Sequence, residues 1–131
     1  MNRSLLIVFV LALLLTMAGV AYAATLTPQV ITTSGLVITP VAATGTTYEF
    51  ANDGHQAIYI NNGSGGTLNY TITIPGRVGG YELEDITGSV ADGTAKYIGP
   101  FNPTYANAAD GNVDFTISVT NSVTLAVIEL K

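Results

Sequence analysis

Hydrophobic and polar residues alternate with a period of two along much of the chain after residue 24. Apolar side chains fall at every second position from Leu68 to Ile74, and again from Val113 to Val119. This is the period of a half-buried antiparallel strand, in which one face contacts a core and the other faces water. Both segments are therefore predicted to be strands.

Shorter segments with similar character follow at regular intervals and are separated by turn residues. Glycine, with Asp, Asn or Ser beside it, recurs about every ten residues, and such residues tolerate positive φ or form local turns. No window of a dozen residues has the apolar stripe of a helix. The pattern predicts an all-β fold, a single antiparallel β-sandwich of the jelly-roll or immunoglobulin-like kind, over residues 24–131. The shorter predicted strands are residues 30–33, 36–39, 47–50, 57–61, 81–86, 95–98 and 123–130.

The first 23 residues have the three parts of a secretory signal peptide. Arg3 precedes an uncharged apolar run over residues 5–15, and Ala21, Ala23 and Ala24 provide small residues for cleavage after residue 23. We therefore expect an apolar signal helix over residues 1–23 and a protein that is secreted, either extracellular or at the cell surface. The alternative is an uncleaved membrane anchor, since residues 5–24 are long enough to span a bilayer.

The composition excludes several classes of function. The chain has four cations and nine acids among 131 residues, a net charge of −5, one histidine and no cysteine. So few cations argue against nucleic-acid binding. The absence of cysteine excludes disulfides, thiolate nucleophiles and cysteine-ligated metals. We expect a protein that is not an enzyme and that requires no cofactor.

His55 is the one residue suited to general-base catalysis. Asp53 lies two positions away, and Ser64 or Ser89 would have to supply the nucleophile of a Ser-His-Asp arrangement. The Gly-x-Ser-x-Gly nucleophile motif is absent. We interpret His55 as a solvated turn residue and predict no catalytic residue.

One candidate metal site stands out. Asp110, Asn112 and Asp114 occupy alternate positions, as at the start of a calcium loop. Phe115 and Asn121 stand where an EF-hand needs Gly and Glu, so that motif is excluded. The alternatives are a Ca²⁺ site at the edge of the sandwich and a turn followed by a strand.

A second acidic group comprises Glu82, Glu84 and Asp85. Glu82 and Glu84 would share one face of a strand. They are interpreted as the charges of an edge strand, with cation binding as the alternative.

Two features of the sequence concern glycans: patterns for N-glycosylation, and tyrosines that could contact a sugar. Asn62 and Asn69 each begin an N-glycosylation acceptor pattern. Tyr59 is predicted to point away from the core, either as a binding contact or as a cross-strand packing partner, whereas Tyr70 is predicted to be buried. The tyrosines do not form a recognisable sugar-binding platform.

Several stretches resemble small β-sandwich proteins encoded among tailed-phage structural genes. They are TLTPQ at 25–29, FANDGHQAIYINNG at 50–63, the region 98–113 that begins IGPF, and VTLAV at 123–127. The resemblance implies a non-enzymatic building block, such as a coat or decoration subunit, with no catalytic residues to transfer. The predicted signal peptide departs from these proteins and points to a related sandwich deployed outside the cell.

The leading hypothesis is a secreted structural protein that assembles with itself into a surface layer, sheath or filament. No charged residue occurs between residues 24 and 48, and Ala24 to Thr33 is a β-prone arm suited to joining a neighbour's sheet. The alternative for this segment is the first hairpin of the same monomer.

The alternative functions are an adhesion or carbohydrate-binding module and a virion decoration or coat protein. We expect a homo-oligomer or polymer, with a glycan as an alternative partner, no nucleic acid, and no stable membrane span once the signal is cleaved.

Overall fold

A computed structural model describes residues 22–131 of the chain. Residues 1–21 of the predicted signal segment, including Ala21, lie outside the described residues. Tyr22 and Ala23 are described and are not helical, and Ala24 begins the first strand. The fold is nearly all-β, with 50% of the described residues in strands and 4% in a helix. Its elements are β1 (Ala24–Thr25), β2 (Pro28–Ile31), β3 (Val41–Ala42), β4 (Thr47–Ala51), β5 (Gln56–Asn62), β6 (Leu68–Ile72), β7 (Arg77–Val78), β8 (Tyr81–Glu82), β9 (Ile86–Val90), β10 (Thr94–Ile98), α1 (Pro103–Ala106), β11 (Asn112–Ile117) and β12 (Val123–Leu130).

Two sheets pack against each other, which confirms the predicted β-sandwich. The first sheet has the order β1-β4-β11-β6-β9, and the second has the order β10-β5-β12-β2, with β3 also paired to β12. A separate hairpin consists of β7 and β8. Most pairs are antiparallel, but β1 is parallel to β4 and β2 is parallel to β12, so both main sheets are mixed.

The core lies between the sheets and has aromatic residues at its centre. The rings of Tyr48 and Phe115 stack at 5.4 Å, and Phe50 meets Phe115 edge-on at 6.2 Å. All three side chains are buried, as is Phe101, whose ring lies 5.9 Å from that of Phe50. Such aromatic pairs contribute about 0.5–1.5 kcal/mol beyond the burial of their area.

The predicted strand boundaries are confirmed where one face of the strand is buried. They are wrong where the backbone forms hydrogen bonds with groups other than a neighbouring strand. Residues 123–130 form β12 as predicted. The predicted strand at 81–86 is instead divided between β8 and β9. Asp85, between them, accepts a hydrogen bond from the backbone N–H of Ile74 at 2.8 Å, which ties this turn to the end of β6.

The prediction of a strand at residues 36–39 is wrong. The Gln29 side-chain amide donates to the carbonyl of Thr39 and accepts from its N–H, both at 2.9 Å. These two bonds replace a strand partner at Thr39, and pairing with β12 resumes only at β3.

The strand directions give the sandwich two different ends. Residues 43–46, 63–67, 91–93 and 118–122 form the short-loop end, where β1 also begins. Residues 32–40, 52–55, 73–85 and 99–111 form the long-loop end, which includes α1. Within residues 22–131, no helix has the length and apolar character needed to cross a membrane.

Candidate assembly surfaces

The N-terminal segment forms the edge of the first sheet. Ala24 and Thr25 pair in parallel with Tyr48 and Glu49 of β4. The backbone N–H of Leu26 donates to the carbonyl oxygen of Glu49 at 2.8 Å, and the Thr25 hydroxyl donates to the Glu49 carboxylate at 2.8 Å. Main-chain pairing therefore holds the start of the segment to β4.

The same segment then crosses to the second sheet. The Leu26 side chain is 8% exposed and belongs to the core. Pro28–Ile31 then run parallel to Val127–Leu130 of β12. One segment thus forms edge strands of both sheets and closes the side of the sandwich between them. The segment lies on its own monomer, as the alternative interpretation expected, but it does not form a hairpin. β1 and β2 pair with β4 and β12, and the turn after β2 has a single isolated bridge, between Thr32 and Gly35.

A cleft open to solvent lies beside this segment. It has a volume of about 310 Å³, adjoins Leu26 and is bordered by Val41, Leu125 and Val127. Leu125 and Val127 are completely buried, so the core beneath the segment is closed. Leu26 is the one buried residue within residues 24–31, and main-chain bonds hold the rest of the segment.

The outer face of the second sheet carries no charge among the described residues. Side chains alternate along β5 and β12, so the neighbours of the core residues Ile58, Ile60, Leu125 and Val127 point to the opposite face of the sheet. Among these neighbours, Ala57, Ala126 and Ile128 are also buried. The cross-strand partners of these neighbours on β2, β3 and β10 point to the same side of the sheet. We call the following residues the uncharged face: Gln29, Ile31, Ala42, Ala57, Tyr59, Asn61, Ala95, Tyr97, Thr124, Ala126, Ile128 and Leu130.

Two tyrosines form the most prominent feature of the uncharged face. Tyr59 and Tyr97 are cross-strand partners whose ring centroids lie 5.1 Å apart. Tyr97 is 55% exposed. The outward orientation of Tyr59 is confirmed, and the structure gives it a cross-strand packing partner. Tyr70 is buried, as predicted.

The outer face of the first sheet is polar instead. Four threonines, one on each of β4, β11, β6 and β9, are cross-strand partners and form a row across the sheet. Two residues further along β4, Glu49 is the cross-strand partner of Asp114 on β11. Burial raises the pKa of the Asp114 carboxyl, and the negative charges of Asp110 and Glu49 add to the effect. The threonines are Thr47, Thr116, Thr71 and Thr87.

The three residues of the predicted calcium site lie at the beginning of β11. Asn112 faces Asp110, since its N–H donates to Oδ1 at 3.0 Å and its side-chain amide donates to Oδ2 at 3.3 Å. These bonds form a local turn. Across residues 22–131, no group of three or more His, Asp or Glu side chains is placed to hold a metal ion. Calcium binding by Asp110, Asn112 and Asp114 stays a prediction.

His55 is an exposed turn residue, as predicted. Its Nδ1 lies 3.1 Å from Oδ1 of Asp53, and both side chains are exposed. Hydrogen bonding from Gln56 and then from His55 lowers the pKa of Asp53. Ser64 follows the opposite end of β5, and Ser89 lies on β9 of the other sheet, so the structure does not assemble a Ser-His-Asp arrangement from these residues.

The second acidic group is spread over a hairpin and the turn that follows it. Glu82 pairs with Arg77 at 2.6 Å across β7 and β8. Asp85 binds a backbone N–H instead, as described above, and Glu84 is exposed. Two of the three acids therefore have local structural partners.

The two glycosylation patterns differ sharply in accessibility. Asn62 is completely buried, and its amide donates to the carbonyls of Gly66 and Val90 at 2.7 and 2.9 Å. It is therefore unavailable for modification in the folded protein. Asn69 is exposed on the outer face of the first sheet.

Sequence reasoning missed the residues that define these surfaces. Leu26 and Gln29 have no motif, and their roles depend on which strand edges the fold leaves open. Comparison of the chain with protein-family models, with curated proteins and with solved structures gives no match.

Proposed function

We propose that this chain is a secreted, non-enzymatic structural protein that assembles with copies of itself into a surface layer, sheath or filament. The observation that carries the proposal is the uncharged face. The full chain has a net charge of −5, and loss of Arg3 with the signal peptide makes it −6, so identical copies repel one another at long range. A face without charged side chains is where that repulsion opposes contact least.

The chemistry of this face also suits contact between proteins. Tyr97 and Leu130 are 55% and 45% exposed, and tyrosine is enriched in the buried centres of interfaces. Between them, Ala126 is already buried, and Thr124 is a half-buried neutral side chain that costs little to remove from water. Sheets with such faces pack against one another at a separation of about 10 Å.

The predicted signal peptide supports placing this assembly outside the cell. Its basic residue, apolar run and alanine cleavage site are those of an exported protein. Low overall charge further favours dense packing of copies.

Sedimentation velocity and electron microscopy of the purified full chain over a range of concentrations would test the proposal. We expect the sedimentation coefficient to rise with concentration and regular particles to be visible. A single monomeric species at every concentration would overturn it.

An adhesion or carbohydrate-binding module is the second candidate function. A cleft of about 300 Å³ at the long-loop end is bordered by Pro100, Phe101 and Tyr105, with Glu84 and Asn102 also lining it. Aromatic and hydrogen-bonding side chains together suit a sugar ring. Saturable binding of a polysaccharide by a monomeric preparation would favour this candidate over self-assembly.

A virion decoration or coat protein is the third candidate and is supported by the sequence resemblance alone. Capsid or tail genes beside the gene for this chain would favour it.

A further inference from the structure

We infer that residues 24–31 exchange between copies, so that the segment of one copy occupies the edge positions on β4 and β12 of another. The inference rests on the proposed self-assembly and specifies the partner as a second copy of this chain. The position that the segment would occupy on the second copy is defined by the contacts that it makes on its own sandwich.

The interactions of the segment would be the same on either copy. Its pairing with β4 and β12 is made by backbone groups, and its anchor is the side chain of Leu26. An identical copy offers the same two strand edges and the same space between the sheets. Exchange of an identical element is a low-cost route to oligomers for this reason.

The chain also has a hinge where exchange requires one. Residues 32–40 connect β2 to β3, and β3 is paired independently with Thr124 and Leu125 of β12. Nine extended residues span up to about 30 Å, which is enough to reach an adjacent sandwich. A turn closed by the bond from Gly35 N–H to the Thr32 carbonyl at 2.9 Å begins this connection.

The segment is also held by few buried side chains. Leu26 is the one buried residue within residues 24–31. A strand with a single buried anchor opens at lower free energy than the central strands do. Release of residues 24–31 would leave β3 and the aromatic core in place.

Paired cysteine variants test the exchange, because the natural chain has no cysteine. Thr25 and Glu49 are parallel cross-strand partners, and such partners lie about 4.8 Å apart, within the range that a disulfide bridges. Full-length T25C and E49C chains, each with one cysteine and one carrying a tag, would be co-expressed, purified as assemblies and oxidised. The matched control pairs T25C with T87C, on the opposite edge of the first sheet.

We expect mixed disulfide pairs of T25C with E49C, at least ten-fold more abundant than in the T25C and T87C control. Assemblies without those mixed pairs would overturn the exchange and leave self-assembly intact. Absence of assemblies from the intact chain as well as from the variants would overturn both.

Discussion

The backbone N–H of Leu26 donates to the carbonyl of Glu49 at 2.8 Å, while the Leu26 side chain lies in the core between the two sheets. A residue near the beginning of the predicted secreted chain thus bonds to one sheet and fills space that both sheets share. The segment that follows it completes the edge of the other sheet. The stability of the sandwich and the exposure of its edges therefore depend on the same few residues.

Replacement of Leu26 by Ala should lower the free energy of unfolding by about 2 kcal/mol, at the low end for buried leucines, because a cleft already adjoins the site. Chemical denaturation of the intact chain and of the variant measures the difference. Leu130→Ala is the matched control, because Leu130 is 45% exposed, and its loss should be within about 0.5 kcal/mol. Equal losses for the two variants would show that Leu26 is not an anchor.

Asp114 should make stability fall as pH rises. Its pKa in the folded protein is raised above the ordinary value of 3.8, so the folded state binds this proton more tightly than the unfolded state does. The contribution is complete below the ordinary pKa and is lost as pH rises through the raised one. Asp114→Asn should therefore be the more stable form at pH 7, by less than about 1 kcal/mol because much of the carboxylate is solvated.

Denaturation of the two proteins across pH 3 to 7 measures this dependence. Their difference should disappear at the acid end of the range. The exposed Glu84→Gln variant controls for the loss of one negative charge. If the stability of Asp114→Asn equalled that of the intact chain at every pH, the burial and repulsion assigned to Asp114 would be wrong.

Asn62→Ala should destabilise the fold by about 2 kcal/mol or more, because it removes the buried donor to the Val90 carbonyl and the acceptor of the Ser64 N–H. Asn69 has the same acceptor pattern but is exposed, so Asn69→Ala should change stability by no more than about 0.5 kcal/mol. Thermal unfolding of the two variants compares them directly. A larger loss for Asn69 than for Asn62 would contradict the accessibility that the structure assigns to them.

Gly88→Ala tests the packing between β6 and β9. A methyl group at Gly88 would collide with the ring and hydroxyl of Tyr70, its cross-strand partner. Such overpacking costs about 1–3 kcal/mol. Gly66→Ala is the control, since a methyl group there meets open space. A Gly88 variant as stable as the Gly66 variant would mean that Tyr70 does not occupy this position.

The strands could be predicted from the sequence because burial of one face imposes a local pattern. β6 shows this best, since its buried residues Leu68, Tyr70 and Ile72 alternate with less buried ones along its whole length. The positions of β1 and β2 could not be predicted in the same way. Their partners are strand edges left open by residues far along the chain, and local alternation does not identify which edge is free.

The candidate sites also divide into features that are local in sequence and features that depend on distant parts of the fold. The exposed turn at His55 follows from the neighbouring Asp53 and Gly54, which are local in sequence. The acceptor pattern at Asn62 is equally local, but its use depends on burial beneath β9, which the pattern does not contain. The uncharged face became visible only when the register placed outward residues of five strands side by side.

The central claim is that copies of this chain assemble through the uncharged face. Electron microscopy of purified full-length Tyr97→Lys beside Thr87→Lys tests it most directly, because both variants add one positive charge at an exposed position, on opposite outer faces. We predict that Thr87→Lys forms the same particles as the intact chain, whereas Tyr97→Lys stays folded and does not form them. Particles of Tyr97→Lys indistinguishable from those of the intact chain would contradict the account.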